Sequence, residues 1–261
     1  MAPFELSQPA SLSDAIGLLD GEDARPLSGG TALMLMMKAG VLRPTRLVSL
    51  RKLGLDRIEA AASLRIGAMT TLRALEKSEA VKKGWTVITR TLRTLSNVRV
   101  RNVATVGGAL AHADPHMDLP PLLAALGARV VIQGKAGQRT IPVEELYAGY
   151  LETTLRPGEL ITRVEVPPLG KRRAAYLKCT TRSADDWPAV GVAVVLGDED
   201  RIFVSAATDR PMRISGESAI ADLKIEADLH GSAEYKEHLV GVLLRRAFHQ
   251  ALAAVDGSGR R

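Results

Sequence analysis

Two glycine-rich turns, each followed by small and apolar residues, constrain this 261-residue chain more than any other feature. The first runs from Ser28 to Ala32 (SGGTA), and the second runs from Thr105 to Ala109 (TVGGA). Paired glycines allow positive φ and close backbone approach, so successive amide N–H groups can converge on an anion. Either turn alone is more often a plain loop than a ligand site. The two together favour a ligand with a long diphosphate between two large groups.

Several other classes of site do not fit the sequence. Neither turn ends in the Lys-Ser/Thr pair of a P-loop, and neither matches the G-x-G-x-x-G pattern of a conventional dinucleotide fold. No G-x-S-x-G nucleophile motif is present. The single cysteine, Cys179, cannot form an internal disulfide or hold an iron–sulfur cluster. After the second turn, the Thr105 hydroxyl and the Asp118 carboxylate can bind the hydroxyls of a ribose or ribityl chain.

A metal site is an alternative interpretation of the same region. His112, Asp114, His116 and Asp118 recur at every second position, and imidazole and carboxylate are suitable ligands. Pro115 disfavours a helical His-x-x-x-His face, and an extended segment would align all four only as a regular strand. Loop histidines that bind water or protein are the favoured interpretation. We therefore predict no metal in this chain.

The charge is concentrated in one part of the chain. The formal net charge is +6. The window 71–110 holds eight basic and two acidic residues, so its own net charge equals that of the whole chain. A solvated helix face and a nucleic-acid or phosphate surface both fit such a window. Aromatic residues make up only 3% of the chain, which argues against base stacking and nucleic-acid binding. Neither a signal-peptide pattern nor a membrane-length apolar run is visible, so we predict a cytoplasmic protein without a transmembrane segment.

Apolar periodicity predicts a mixed chain of helices and strands. Helices are predicted over 13–19, 32–39, 72–77, 80–95, 118–127 and 233–255. The fourth is interrupted or delimited near Gly84, and Asp118 is the cap of the fifth. Strands are predicted over 46–50, 64–67, 130–133, 139–143, 160–166, 174–180, 189–196 and 202–207. The stretch 98–113 is predicted to be irregular. Prolines and a glycine at 167–170 predict a domain boundary.

Four stretches, 26–50, 101–132, 155–166 and 176–194, together resemble the FAD-binding medium subunit of molybdenum hydroxylases of the carbon monoxide dehydrogenase and xanthine dehydrogenase type. The resemblance extends from about residue 4 to about residue 255. It implies an α+β chain with a two-subdomain FAD-binding (PCMH-like) fold over 1–55 and 56–168. A smaller C-terminal α/β domain of antiparallel sheet plus helices follows over 172–261.

The resemblance also implies which residues contact FAD. Those of the first loop wrap the diphosphate, and they are Ser28, Gly29, Gly30, Thr31, Ala32 and Leu33. In the second loop, the residues that would bind the polar middle of the cofactor are Thr105, Gly107, Gly108 and Asp118. Leu95 and Ile161 would place apolar side chains near the flavin. Lys178 would lie close to the ring system, with Tyr176 as a further neighbour of the ring. The chain departs from its relatives in reading GGTA where many have GGQS, and in having Cys179-Thr180-Thr181 where an aromatic and basic residues are common.

The implied function is electron transfer. The resemblance places a molybdenum cofactor on a large partner subunit and [2Fe-2S] clusters on a small one, in a heterotrimer or a dimer of heterotrimers. Electrons would pass through those clusters to FAD on this chain and then to quinone or oxygen, with NAD less favoured. Two alternatives stay open: a stand-alone FAD-dependent oxidoreductase, and an assembly subunit that has lost FAD. The intact glycines of both loops argue against the second.

Overall fold

The computed structural model describes residues 2–21 and 23–253. Its first sheet has three parallel strands in the order β1-β3-β2. The strands are β1 (Glu5–Ser7), β2 (Ala24–Leu27) and β3 (Arg46–Ser49), and the intervening helices are α1 (Leu12–Leu18) and α2 (Leu33–Lys38). Gly40 follows α2 with φ +74°, the left-handed conformation that commonly ends a helix. The first sheet thus leads directly into the first glycine loop, between β2 and α2.

The second sheet is antiparallel and has β10 at its centre, in the order β4-β5-β10-β6-β7. Its strands are β4 (Ile58–Ala60), β5 (Leu64–Gly67), β6 (Arg129–Gly134), β7 (Gly137–Pro142) and β10 (Leu160–Val166). The predicted strand over 160–166 is confirmed to the residue. A short ribbon of β8 (Tyr147–Gly149) and β9 (Glu152–Thr153) follows the 3-10 helix Val143–Leu146.

Six helices connect β5 to β6. They are α3 (Leu72–Lys77), α4 (Glu79–Gly84), α5 (Thr86–Thr94), α6 (Val98–Arg101), α7 (Val106–His112) and α8 (Leu119–Ala125). The helix predicted over 80–95, with an interruption near Gly84, is two helices that meet at Trp85. The prediction that 98–113 is irregular was wrong, because Asn97 and Thr105 cap α6 and α7 by accepting backbone N–H bonds. Paired glycines lie inside α7, which made that segment look like a loop.

The third sheet is antiparallel, with strands β11 (Arg173–Thr180), β12 (Pro188–Leu196), β13 (Arg201–Ser205) and β14 (Met212–Ile214) in chain order. The 3-10 helix Glu217–Asp222 and the long helix α9 (Ala233–Ala253) follow, and α9 packs on β11 and β12. Ser232 caps α9 as predicted, by accepting from the N–H of Tyr235. Val255, the last position of the predicted apolar stripe, lies outside the described residues.

Helix α8 joins the second and third sheets in one core. It packs against β12 and β13, and its residues are fully buried. Ala193 and Val195 of β12 belong to the same hydrophobic cluster as α8, whereas Val192 and Val194 face α9 in a second cluster. Because both faces of β12 are covered, its sequence is an unbroken apolar run rather than an alternating one. Helices α8 and α9 therefore pack on opposite faces of β12.

Among residues 2–21 and 23–253, no helix is both long enough and apolar enough to span a bilayer.

Candidate functional site

The two glycine loops contact each other. The Ser28 and Thr105 hydroxyl oxygens are 2.5 Å apart, and Ser28 Oγ donates to Met69 Sδ over 3.0 Å. Thr105 Oγ1 also accepts from the Gly108 N–H at 3.1 Å, which caps α7. With the Ser28 proton used on Met69, the Thr105 hydroxyl donates to Ser28. The structure thus joins the two predicted loops, and it satisfies Thr105 within the protein.

Two glycines allow this close approach. A Cβ on Gly29 would lie 2.2 Å from the Val103 carbonyl oxygen, so only glycine lets the first loop rest on the segment before Thr105. A Cβ on Gly107 would lie 2.6 Å from the Ala68 Cβ. Both distances are far inside van der Waals contact. These glycines let the protein pack closely against itself, and their contact with a ligand stays a prediction.

The amide groups of the two loops are used differently. Within the part of the chain that the structure describes, the N–H groups of Gly29–Leu33 have no hydrogen-bond acceptor. In the second loop, Gly107 N–H binds the Ala68 carbonyl at 2.8 Å and Gly108 N–H binds Thr105. Consecutive free amides are suited to an anion such as a diphosphate. The first loop is therefore the part of the candidate site that offers donors.

Asp118 forms the polar centre of the junction between α8 and β11. Its Oδ1 accepts from the Tyr176 hydroxyl at 2.6 Å and its Oδ2 accepts from Lys178 Nζ at 2.8 Å. Asp118 is 3% exposed. The prediction that its side chain caps α8 was wrong, because the carboxylate points to β11 instead of to the helix amides. Alternation along β11 places Tyr176 and Lys178 on the same face.

Burial controls the protonation of this group. Desolvation raises the pKa of Asp118, and the Lys178 ammonium and the Tyr176 hydroxyl oppose that rise by stabilising the carboxylate. Burial and the neighbouring Asp118 carboxylate likewise raise the pKa of Tyr176 well above its ordinary value, so the phenol remains a donor. Asp118 and Lys178 thus form a buried ion pair, and the carboxylate oxygen that does not face Lys178 accepts the hydrogen bond from Tyr176.

Lys178 also connects this centre to two other segments. Its Nζ donates to the carbonyl oxygens of Thr94, at 2.9 Å, and Asp186, at 3.1 Å. Leu95, which follows Thr94 in the chain, is 7% exposed. Ile161 of β10 is 5% exposed and belongs to the same hydrophobic cluster. Proximity of Leu95 and Ile161 to a flavin stays a prediction. A cleft of about 320 Å³ lies beside Lys178, between α5 and the free edge of β11.

The basic window divides into buried and exposed parts. Arg101 is 7% exposed, and its Nε donates to Glu76 at 3.0 Å. Glu76 also accepts from Arg73, so two of the eight cations share one internal carboxylate. Arg90 and Arg93 lie on the exposed side of α5. The window is therefore not uniformly a solvated helix face.

The alternating His and Asp residues do not gather as metal ligands. Across residues 2–21 and 23–253, no three His, Cys, Asp or Glu side chains are grouped as a metal ion would require. His116 contacts Asp114 and Asp228, while Asp118 is taken by Lys178. Sequence reasoning missed Asp228, which lies 112 positions from His116 and carries no local signal.

Comparison with known proteins identifies the family. Residues 2–169 match the model described as the FAD binding domain in molybdopterin dehydrogenase. The chain is 33% identical to the carbon monoxide dehydrogenase medium chain of Afipia carboxidovorans, over 96% of this chain and 97% of that one.

Solved structures give the same result. A carbon monoxide dehydrogenase from Hydrogenophaga pseudoflava, lacking the Mo-pyranopterin moiety of its cofactor, superposes with a TM-score of 0.91 at 30% identity, covering 96% of this chain and 98% of that one. Quinoline 2-oxidoreductase of Pseudomonas putida superposes with a TM-score of 0.86 at 29% identity, over 95% and 96% of the two chains. The resemblance and the α+β fold inferred from the sequence are confirmed. The chain thus belongs to the family of FAD-binding domains in molybdopterin dehydrogenases, as a medium-type oxidoreductase subunit.

Proposed function

We propose that this chain carries FAD as the electron-transfer subunit of a molybdenum hydroxylase, receiving electrons from iron–sulfur clusters on a partner and delivering them to an external acceptor. The contact between Ser28 and Thr105 supports this proposal most directly. It joins the two glycine loops into one unit, which we call the clasp. In this unit the N–H groups of Gly29–Leu33 have no acceptor among the described residues. The residues present therefore fit the diphosphate of FAD.

Each part of the site has a role that its chemistry explains. The Gly29–Leu33 amides would hold the diphosphate, because backbone donors bind anions without an ordering cost in long side chains. Lys178 supplies a buried cation, and Asp118 holds its ammonium in place. FAD, when bound, supplies a group that accepts and releases electrons. The protein positions that group and excludes water, and it needs no acid–base residue for an organic substrate.

The partners follow from the same chemistry. One cysteine cannot ligate an iron–sulfur cluster, so a chain of this kind that exchanges single electrons needs the clusters of another subunit. We propose a large subunit with the molybdenum cofactor and a small subunit with [2Fe-2S] clusters, in a heterotrimer or a dimer of two heterotrimers. The organic substrate would be recognised on the large subunit. The domain limits 1–55, 56–168 and 172–261 are part of this proposal.

The test is purification of the chain followed by its visible spectrum with and without added FAD. We expect flavin absorption that persists through gel filtration. A protein that stays colourless with excess FAD would refute the proposal. Affinity capture from cells that contain the complex then tests the partners, and we expect co-purified molybdenum and iron. Reduction of the bound flavin by a small organic substrate without any partner would favour a stand-alone oxidoreductase instead.

A further inference from the structure

His116 lies between two carboxylates from distant parts of the chain. Its Nδ1 is 3.1 Å from Asp114 Oδ1, and its Nε2 is 3.0 Å from Asp228 Oδ2. The His116 side chain is only 11% exposed. Asp114 belongs to the loop between α7 and α8, whereas Asp228 precedes α9. The imidazole therefore bridges the loop that leads to Asp118 and the C-terminal part of the fold.

The bridge requires a charged imidazole. A carboxylate oxygen only accepts hydrogen bonds, so both ring nitrogens must carry protons for both contacts to form. Burial lowers the pKa of His116, but the two hydrogen-bonded carboxylates outweigh it, and the net shift is upward. Burial instead dominates at His112, whose pKa is lowered. The His230 ring also faces His116, at 5.2 Å between centroids.

A buried lysine completes the network. Lys236 of α9 is 1% exposed, and its Nζ contacts Asp228 Oδ2 at 2.7 Å and the Ala206 carbonyl at 3.1 Å. The Ala206 N–H binds the Pro115 carbonyl at 3.0 Å. Ala206 has φ +64°, a left-handed conformation that costs energy in a residue other than glycine. The contact between the loop before α8 and the segment around the start of α9 is thus held by balanced charges. It is also held by a backbone conformation at Ala206 that the surrounding structure imposes.

The same junction is linked to the Asp118–Lys178 pair by two routes. Along the chain, Asp118 lies only two residues after His116. Through space, the Trp187 ring lies 5.6 Å from the His116 ring, and Lys178 binds the carbonyl of the preceding Asp186. These contacts connect His116 to Lys178 through Asp118 on one side and through Trp187 and Asp186 on the other.

We propose that His116 is a positioning residue, whose imidazolium bridges Asp114 and Asp228 and thereby holds the segments in which Asp118 and Lys178 meet. This inference rests on the proposed function, because it makes FAD retention depend on the charge of His116. As pH rises and the imidazole loses a proton, one of the two contacts breaks. FAD affinity then falls.

The bridge can be tested without cofactor by tryptophan fluorescence, since a protonated imidazole quenches a neighbouring indole. In the FAD-free Trp85→Phe chain, Trp187 is the sole tryptophan, and we expect its emission to rise with a midpoint above pH 6.5. The transition should vanish in His116→Gln and persist in His249→Gln, a change at an exposed position of α9. If Trp85→Phe does not fold, the difference between wild type and Trp187→Phe gives the same signal. A missing transition, or a midpoint at or below 6.5, overturns the bridge.

Positioning can be tested by a double-mutant cycle in thermal unfolding. His116 and Lys178 make no direct contact, so independent effects would add. We expect the His116→Gln/Lys178→Met variant to lose several degrees less in Tm than the sum of the two single losses. The matched pair His249→Gln and Lys178→Met should be additive. Additivity of His116 and Lys178 would overturn the positioning role.

The cofactor dependence is tested by FAD binding to the full chain at pH 6 and pH 9. We expect the Kd of wild type to rise at least threefold, and that of His116→Gln to be weaker at pH 6 and nearly constant. Equal pH dependence in both proteins overturns the inference and leaves the proposed function intact. A fluorescence transition in a chain that binds no FAD at either pH overturns the proposed function and supports the bridge.

Discussion

The Ser28 and Thr105 side-chain oxygens lie 2.5 Å apart although 77 positions separate the residues in the chain. Ser28 follows a strand of the first sheet, and Thr105 caps a helix that lies between strands of the second. One hydroxyl pair thus fixes the distance between two segments that each carry one of the two loops proposed to bind the cofactor. A substitution at either residue should act on folding and on cofactor retention together.

Thr105→Val should lower the free energy of unfolding by about 1–2 kcal/mol, because it removes a helix cap and the bond to Ser28. FAD should also dissociate faster. Thr71→Val is the matched control, since Thr71 caps α3 through the Ala74 N–H without contacting the first loop. It should lose about 1 kcal/mol and retain FAD normally. Urea unfolding and flavin retention on gel filtration measure both effects, and equal FAD loss in the two variants would contradict the role of the clasp.

Gly29→Ala should separate the loops, because its methyl group would lie 2.2 Å from the Val103 carbonyl oxygen. We expect a loss of about 1–3 kcal/mol in unfolding free energy and strongly reduced FAD binding. Gly17→Ala is the control, since no atom lies within 4 Å of its new Cβ and the residue is inside α1. That change should be neutral or stabilising by up to about 1 kcal/mol. Normal FAD binding by Gly29→Ala would show that the close approach is dispensable.

Asp118→Asn should destabilise the fold by about 3–5 kcal/mol, because it leaves the buried Lys178 ammonium without its counter-charge. Adding Lys178→Met should recover a large part of that loss, since the buried charge is then gone. Tyr176→Phe should cost only about 1–2 kcal/mol, as one hydrogen bond is removed. Chemical denaturation of wild type, the three single variants Asp118→Asn, Lys178→Met and Tyr176→Phe, and the double variant measures these differences. A double variant as unstable as the sum of its single changes would refute the coupling.

Asp228 should give the protein an acid-sensitive component of stability. Its partial burial raises the pKa, but the Lys236 hydrogen bond and its other donors outweigh this and bring the pKa to about 2, below the ordinary 3.8. The native state therefore binds fewer protons than the unfolded chain in this range, and the stabilisation is lost as pH falls from about 4 towards 2. Solvent screening keeps the effect below roughly 2 kcal/mol. Urea unfolding from pH 5 to pH 2.5 should show a shallower acid loss in Asp228→Asn than in Glu226→Gln, an exposed control.

Local patterns predicted much of the fold. Strict alternation over 160–166 predicted β10 to the residue, and Ser232 before an apolar stripe predicted the start of α9. The same logic failed over 98–113, because the small residues of α7 are selected by packing rather than by helix propensity. Gly107 lies inside α7, and its missing side chain makes room for Ala68.

The site was predicted less completely, for a related reason. The glycine loops and Asp118 are visible as local motifs, but the partners of Asp118 lie 58 and 60 positions away in β11. Asp228 and Lys236 are likewise brought to His116 by tertiary packing alone. Periodicity carries no information about such contacts, so only the resemblance indicated Lys178. The sequence assigned Asp118 a helix cap, whereas the fold uses its charge to bind the C-terminal sheet.

The double burial of β12 also limits how this protein can be divided. The match to the family model ends at residue 169, which suggests a truncated chain that keeps both glycine loops and lacks the C-terminal sheet. Such a chain would lose Ala193, Val195 and Phe203, and helix α8, now fully buried, would present an apolar surface to water. A surface of this kind drives self-association. We therefore expect the part matched by the family model to self-associate when it is produced alone, because the C-terminal sheet that covers its apolar surface is missing.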